Sequence, residues 1–168
     1  MENLIDVLNK EISEYEVLLA LSRRKTPAII QRELDALQKI TDDEQMAVAG
    51  INHLDKQREE ITKDIANVLN KDVNKLTISE LIRLMSPRPE EAKELAKVHD
   101  KLKSVVGDLK IVNKQNEELL KNSLEMVEFE LNLLQATKAA PETANYNKGA
   151  YSSGDTYGYS TGGFDAKQ

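Results

Sequence analysis

The residue types that carry catalysis are present in this chain but not grouped. His53 and His99 each stand alone on a helical stretch, with no Glu-x-x-His or His-x-x-x-His partner at metal-ligand spacing. No glycine-rich loop lies between a strand and a helix to cradle a phosphate. The acidic pairs Glu59-Glu60 and Glu117-Glu118 read as solvated helix surface. An acid–base role would need burial to shift a pKa, and a thin helical bundle offers little of it. The chain has no cysteine, so neither a disulfide nor a thiolate metal site is available. These residues predict no enzyme, no metal and no cofactor.

What remains is the chemistry of apolar helix faces. Toward the end of the last long helical stretch, Leu120, Leu124, Val127, Leu131 and Leu134 form one stripe. Leu119, Met126, Phe129 and Leu133 form a second, centred roughly 150° away on a helical wheel. A helix that is apolar on two faces must bury both. Either two neighbouring helices of the same chain cover them, or one face stays partly open for a partner helix. Met126 and Phe129 suit the second reading, since methionine adapts to partners of varied shape. Asn116 and Ser123 sit in or beside the same seam, as local packing adjustments or as partner contacts.

The elements that position these residues follow from periodicity. A first helix is predicted over about 3–24, with Leu4, Leu8, Ile12, Tyr15, Leu19 and Ser22 at helical spacing. Thr26-Pro27 then reads as an N-cap and first helical residue, opening a second helix over 27–70. Its seam runs Ile30, Glu33, Leu37, Ile40, Glu44, Ala47, Ile51, Leu54, Arg58, Ile61, Ile65 and Val68 in alternating steps of three and four. Thr77-Ile78-Ser79-Glu80 is a capping box that starts a short helix over 78–85, with Leu76 and Leu81 spaced as a hydrophobic staple. Pro89 begins a third long helix over 89–138, whose seam passes Leu95, Val98, Leu102, Val105, Leu109, Val112, Asn116 and Leu119 before moving by one residue. The fold class is therefore all-α: an elongated, antiparallel three-helix bundle of coiled-coil character over 1–140. The first helix, about half as long as the others, is expected to cover the start of the second and the end of the third. Three helices then lie at one end and two at the other.

From Pro141 the composition changes. Residues 141–168 hold five of the seven glycines and five of the seven aromatic residues, among them Tyr146 and Tyr151, and no Leu, Ile, Val or Met. Such a segment buries too little apolar surface to offset its ordering entropy, so it is expected to be disordered in isolation, its tyrosines available to order on a partner.

Charge and hydropathy narrow the class further. With 23 Lys and Arg against 29 Asp and Glu, the net charge of −6 argues against a nucleic-acid partner. No apolar run is long enough to span a membrane. The opening Met1-Glu2-Asn3-Leu4 lacks the basic and apolar regions of a secretory signal, and with the missing cysteines this predicts a cytoplasmic protein.

The chain resembles the FlgN flagellar export chaperones. The resemblance covers nearly its whole length: Leu4-Ile5-Asp6-Val7-Leu8 and Tyr15-Glu16-Val17-Leu18-Leu19, then Leu34-Asp35-Ala36-Leu37, then Thr77-Ile78-Ser79-Glu80-Leu81. It is closest from Asn113 to Leu134, followed by Tyr146-Asn147-Lys148-Gly149. It implies a bacterial chaperone that binds a helical C-terminal segment of the hook-associated proteins, keeps them unassembled and brings them to the flagellar type III export apparatus. By position, Leu119, Leu120, Leu124, Val127, Leu131 and Leu134 would face or adjoin the client, and Tyr146 would touch client or export gate. The alternative reading from the residues alone is a coiled-coil adaptor or scaffold, with self-association left open by either.

Overall fold

The computed structural model describes residues 1–85 and 87–139, the side chains of Asn74 and Ala139 excepted. The expectations for Tyr146, Tyr151 and the segment 141–168 lie outside these residues. The described chain forms α1 (Glu2–Gln31), α2 (Leu34–Leu69), a 3-10 turn (Val73–Lys75), α3 (Ile78–Leu84) and α4 (Pro89–Ala139), with no strand among the described residues. The all-α class predicted by the seams is the one that forms. Two compact units divide the chain, Met1–Phe129 and Glu130–Gln168. The helical bundle belongs to the first, and the described part of the second is the last stretch of α4.

Within the first unit α1 packs against both long partners. Leu4 and Leu8, fully buried, meet Ala66 of α2, Leu81 of α3 and Leu95 of α4 in one apolar cluster. Further along, Leu18 and Leu19 meet Ala47 and Ile51 of α2 and Leu109 of α4 in a second. The buried stripe of α1 is therefore wider than one seam, taking in Ile5 and Leu21 beside Leu4 and Leu8, because two helices cover it. These pairings make α1 antiparallel to α2 and parallel to α4. α3 clasps the end where α2 and α4 connect. The Thr77 side chain accepts the Glu80 backbone N–H at 3.2 Å, and Leu76 and Leu81 are both buried in the first cluster, as a staple requires.

The expected break at Thr26-Pro27 does not occur. α1 continues through Pro27 to Gln31, and α2 begins at Leu34. An interior proline removes the N–H that would bond the carbonyl four residues back and costs about 3 kcal/mol. Ala28 and Ile29 offset much of that by being buried, and Ala28 packs with Leu21 and Ile40 in a third apolar cluster. The chain reverses instead at Arg32, in the left-handed conformation with φ 56°, while the Glu33 N–H bonds the Ala28 carbonyl at 3.0 Å. Asn70 ends α2 in the same way, with the Lys71 N–H on the Ala66 carbonyl at 2.9 Å.

Moving that turn lengthens the first helix. α1 has 30 residues and α2 has 36, and α1 lies along α2 from Leu4 beside Ala66 to Ala28 beside Ile40. The expected division into a three-helix end and a two-helix end is corrected accordingly. The seam of α2 holds from Leu37 to Ile65 but fails at its ends. Ile30 belongs to α1 and is 63% exposed, Glu33 sits in the turn, and Val68 is 85% exposed with Ala66 buried in its place. Glu44 and Arg58, polar positions of that seam, pair across to α1: Lys25 Nζ reaches Glu44 Oε2 at 2.7 Å and Arg58 Nε reaches Glu11 Oε1 at 2.9 Å.

Candidate functional site

Polar side chains gather in two places in the first unit. One is a cavity of about 260 Å³ lined by Glu11, Tyr15, Asp55, Arg58, His99, Lys103 and neighbouring apolar residues. Glu11 is nearly fully buried, and burial raises its pKa above the usual carboxylate value although the Arg58 guanidinium opposes the shift. Burial likewise raises the Tyr15 phenol, with the Glu11 charge adding to it. Arg58 also pairs with Asp55. His99 reaches only its sequence neighbour Asp100, at 3.4 Å. The Glu11 carboxylate is thus engaged by Arg58. No group of three or more His, Cys, Asp or Glu residues among those described could hold a metal.

The second gathering is a polar layer across α1, α2 and α4. Asn116 Nδ2 donates to the Ser22 carbonyl at 2.7 Å, and Thr26 Oγ1 donates to Asn116 Oδ1 at 2.7 Å. Ser22 Oγ donates to Glu44 Oε1 at 3.4 Å, and Lys25 holds the other oxygen of that carboxylate. Ser22 is 1% and Asn116 4% exposed. Among the described residues no buried side-chain polar atom lacks a partner, so the layer is fully satisfied.

This layer separates two kinds of packing. Before it, apolar residues of α1, α2 and α4 share the second cluster. Beyond it, the third cluster of Leu21, Ala28 and Ile40, flanked by Ala36 and Leu37, is built from α1 and α2 alone. α4 stands off from this hairpin tip across an apolar trough of about 260 Å³. Ile29 and Arg32 of α1 and Leu34 and Leu37 of α2 form one wall; Leu120, Ser123, Leu124 and Val127 of α4 form the other. Leu34 is 76% exposed and Leu124 62%. The stagger of Leu4 beside Leu95 and Leu18 beside Leu109, carried along two parallel helices of equal rise, sets the end of α1 roughly level with Asn122. From there to Phe129, α4 outruns its partner.

The predicted site residues therefore divide. Leu120, Ser123, Leu124 and Val127 line the trough together. Leu119 is half-buried, while Met126 and Phe129 lie outside the trough and are exposed. Between Leu124 and Phe129 neither stripe is covered by α1 and α2. Asn116 faces inward to α1. Leu131, Leu133 and Leu134, in the second unit, are each more than half exposed. Sequence reasoning missed the opposite wall, Ile29, Leu34 and Leu37. With the turn expected at Pro27, Leu34 was mid-helix and Leu37 a seam residue, and no local pattern marks the turn at Arg32–Glu33 that brings them to the trough.

Fold and site together define a helical protein with open apolar helix surface. The chain belongs to the FlgN family, matching the family described as FlgN protein over residues 1–153, and this is a family of flagellar export chaperones. It is also similar to the uncharacterized protein YvyG of Bacillus subtilis strain 168, with 27% identity over 144 residues, 86% of this chain and 83% of the relative. No solved structure matches the chain. No helix among the described residues is long and apolar enough to cross a membrane.

Proposed function

We propose that this chain is a cytoplasmic export chaperone that captures the helical C-terminal segment of hook-associated flagellar proteins, keeps them from assembling and brings them to the type III export apparatus. The observation that carries the reading is the uncovered apolar surface of α4 from Leu120 to Phe129, faced in part by the α1–α2 tip. Clients that polymerise through helical ends must have those ends covered before export. An amphipathic helix laid on α4 offers anchors at i, i+3, i+4 and i+7 to such a stripe. Each large apolar side chain so buried is worth about 1.5–3 kcal/mol. Association itself costs on the order of 4–15 kcal/mol, so one or two anchors do not suffice and a stripe of several is required. Leu131 and Leu134 belong to the same stripe, Leu119, Met126, Phe129 and Leu133 offer the client a second face of α4, and Tyr146 and Tyr151 are contacts to client or export gate. Release needs no nucleotide, only a competing site.

The double variant Phe129→Asp, Leu133→Asp tests this. It is expected to keep native helicity by circular dichroism and to weaken capture of a hook-associated protein by about 2 kcal/mol or more, roughly 30-fold in Kd. Unchanged binding with native helicity removes this second stripe from the proposed client contact, leaving the trough as its seat. A constant self-associated mass by light scattering, with no hook-associated protein bound, supports the adaptor or scaffold instead.

A further inference from the structure

The two walls of the trough are mostly apolar, and the hydrophobic effect favours closing such a gap by moving α4 onto the α1–α2 tip. A feature placed to oppose that closure is the polar layer, one helical turn before Leu120. We propose that Asn116 is a positioning residue for partner capture, its hydrogen bonds to Ser22 and Thr26 holding α4 at the rotation and distance that keep the trough open.

The geometry is specific. Both functional atoms of the Asn116 amide are used, the nitrogen on the Ser22 carbonyl and the oxygen on the Thr26 hydroxyl, each at 2.7 Å. Hydrogen bonds weaken steeply with misalignment, so a rotation of α4 that swung Leu120 and Leu124 inward would break both at once. The groups released would be left inside the protein, because Asn116 and Ser22 are almost fully buried and that is where desolvation is most costly. Glu44 and Lys25 tie the same layer to α2, Ser22 donating to Glu44 at 3.4 Å and Lys25 at 2.7 Å, so the three helices are fixed at one level. An apolar side chain at 116 would prolong the second cluster, which ends at Leu109 and Val112, and draw α4 inward. The layer is thus a device that forgoes stability for an open site, the trade that functional sites commonly make. The link to capture rests on the proposed function; the link to the open trough does not.

The chain has no cysteine, so one environment-sensitive label can be placed cleanly. Bimane attached through Leu124→Cys reports the trough in the full-length protein with no partner present. With Asn116→Leu added, its emission is expected to shift to the blue and iodide quenching to fall, while the thermal midpoint rises. Thr26→Val, which removes one of the two bonds at nearly constant shape, is expected to shift the label in the same direction by less. It decides the question should Asn116→Leu fail to fold. A label unchanged in Thr26→Val and in a folded Asn116→Leu overturns the proposal, whatever the partner does. Without the label, Asn116→Leu alone is expected to weaken capture of a hook-associated C-terminal helical segment at least ten-fold by calorimetry. Blue-shifted label with unchanged capture would instead show that the partner does not sit in the trough, which overturns the proposed site and the role of Asn116 in capture.

Discussion

At the scale of single residues, the ion pair between Glu11 and Arg58 favours the guanidinium charge but does not offset what burial costs the carboxylate. Burial raises the Glu11 pKa above the ordinary 4.5, so desolvation outweighs the attraction of Arg58. The sign follows from proton linkage. Between 4.5 and the raised value the unfolded chain has already lost this proton and the folded chain has not. Stability attributable to Glu11 therefore declines as pH climbs through that window and is recovered on acidification. Urea titrations of wild type and Glu11→Gln, from pH 7 downward, are expected to show the difference between them moving in favour of wild type as the window above 4.5 is entered. A difference that is flat, or that moves the other way, would mean that Arg58 and not burial controls this carboxyl.

At the scale of elements, periodicity was enough to find the three long helices because each buries a face at regular spacing. Leu95, Leu102 and Leu109 of α4, and Ile40, Ala47 and Ile51 of α2, sit where the seams put them. The N-cap at Thr77 was legible for the same reason that it works, since its hydroxyl satisfies a local backbone N–H. The turn between α1 and α2 was not legible. Thr26-Pro27 carries the local signature of a helix start, whereas Arg32-Glu33 has none, and a left-handed arginine is a conformation that only tertiary packing enforces. Burial of Ala28 and Ile29 decided the matter over local preference. Pro27→Ala separates the two possibilities. In the observed helix interior, at an exposed position, it restores a backbone hydrogen bond and should stabilise the chain by about 2–3 kcal/mol in chemical denaturation. At a helix start the same change would be neutral or slightly destabilising.

At the scale of the molecule, the α4 wall of the trough was visible in sequence as surplus apolar surface, and the other wall was not. Leu120, Leu124 and Val127 stood out because a helix apolar on two faces demands an explanation. Leu34 and Leu37 belong to the trough only because α1 and α2 reverse at Arg32, a consequence of packing that no local pattern states. Asn116, weighed as either packing or contact, is a buried member of the layer where α4 parts from its neighbours. Under the proposed function the hairpin tip and α4 act as two jaws, and capture should depend on both. Calorimetric titration of a hook-associated C-terminal helical segment into Leu34→Asp and into Leu124→Asp, set against wild type, tests this directly. Both variants, native in helicity, are expected to lose about 30-fold or more in affinity. Binding as tight as wild type in both would contradict the assignment of this trough as the place where the partner is held.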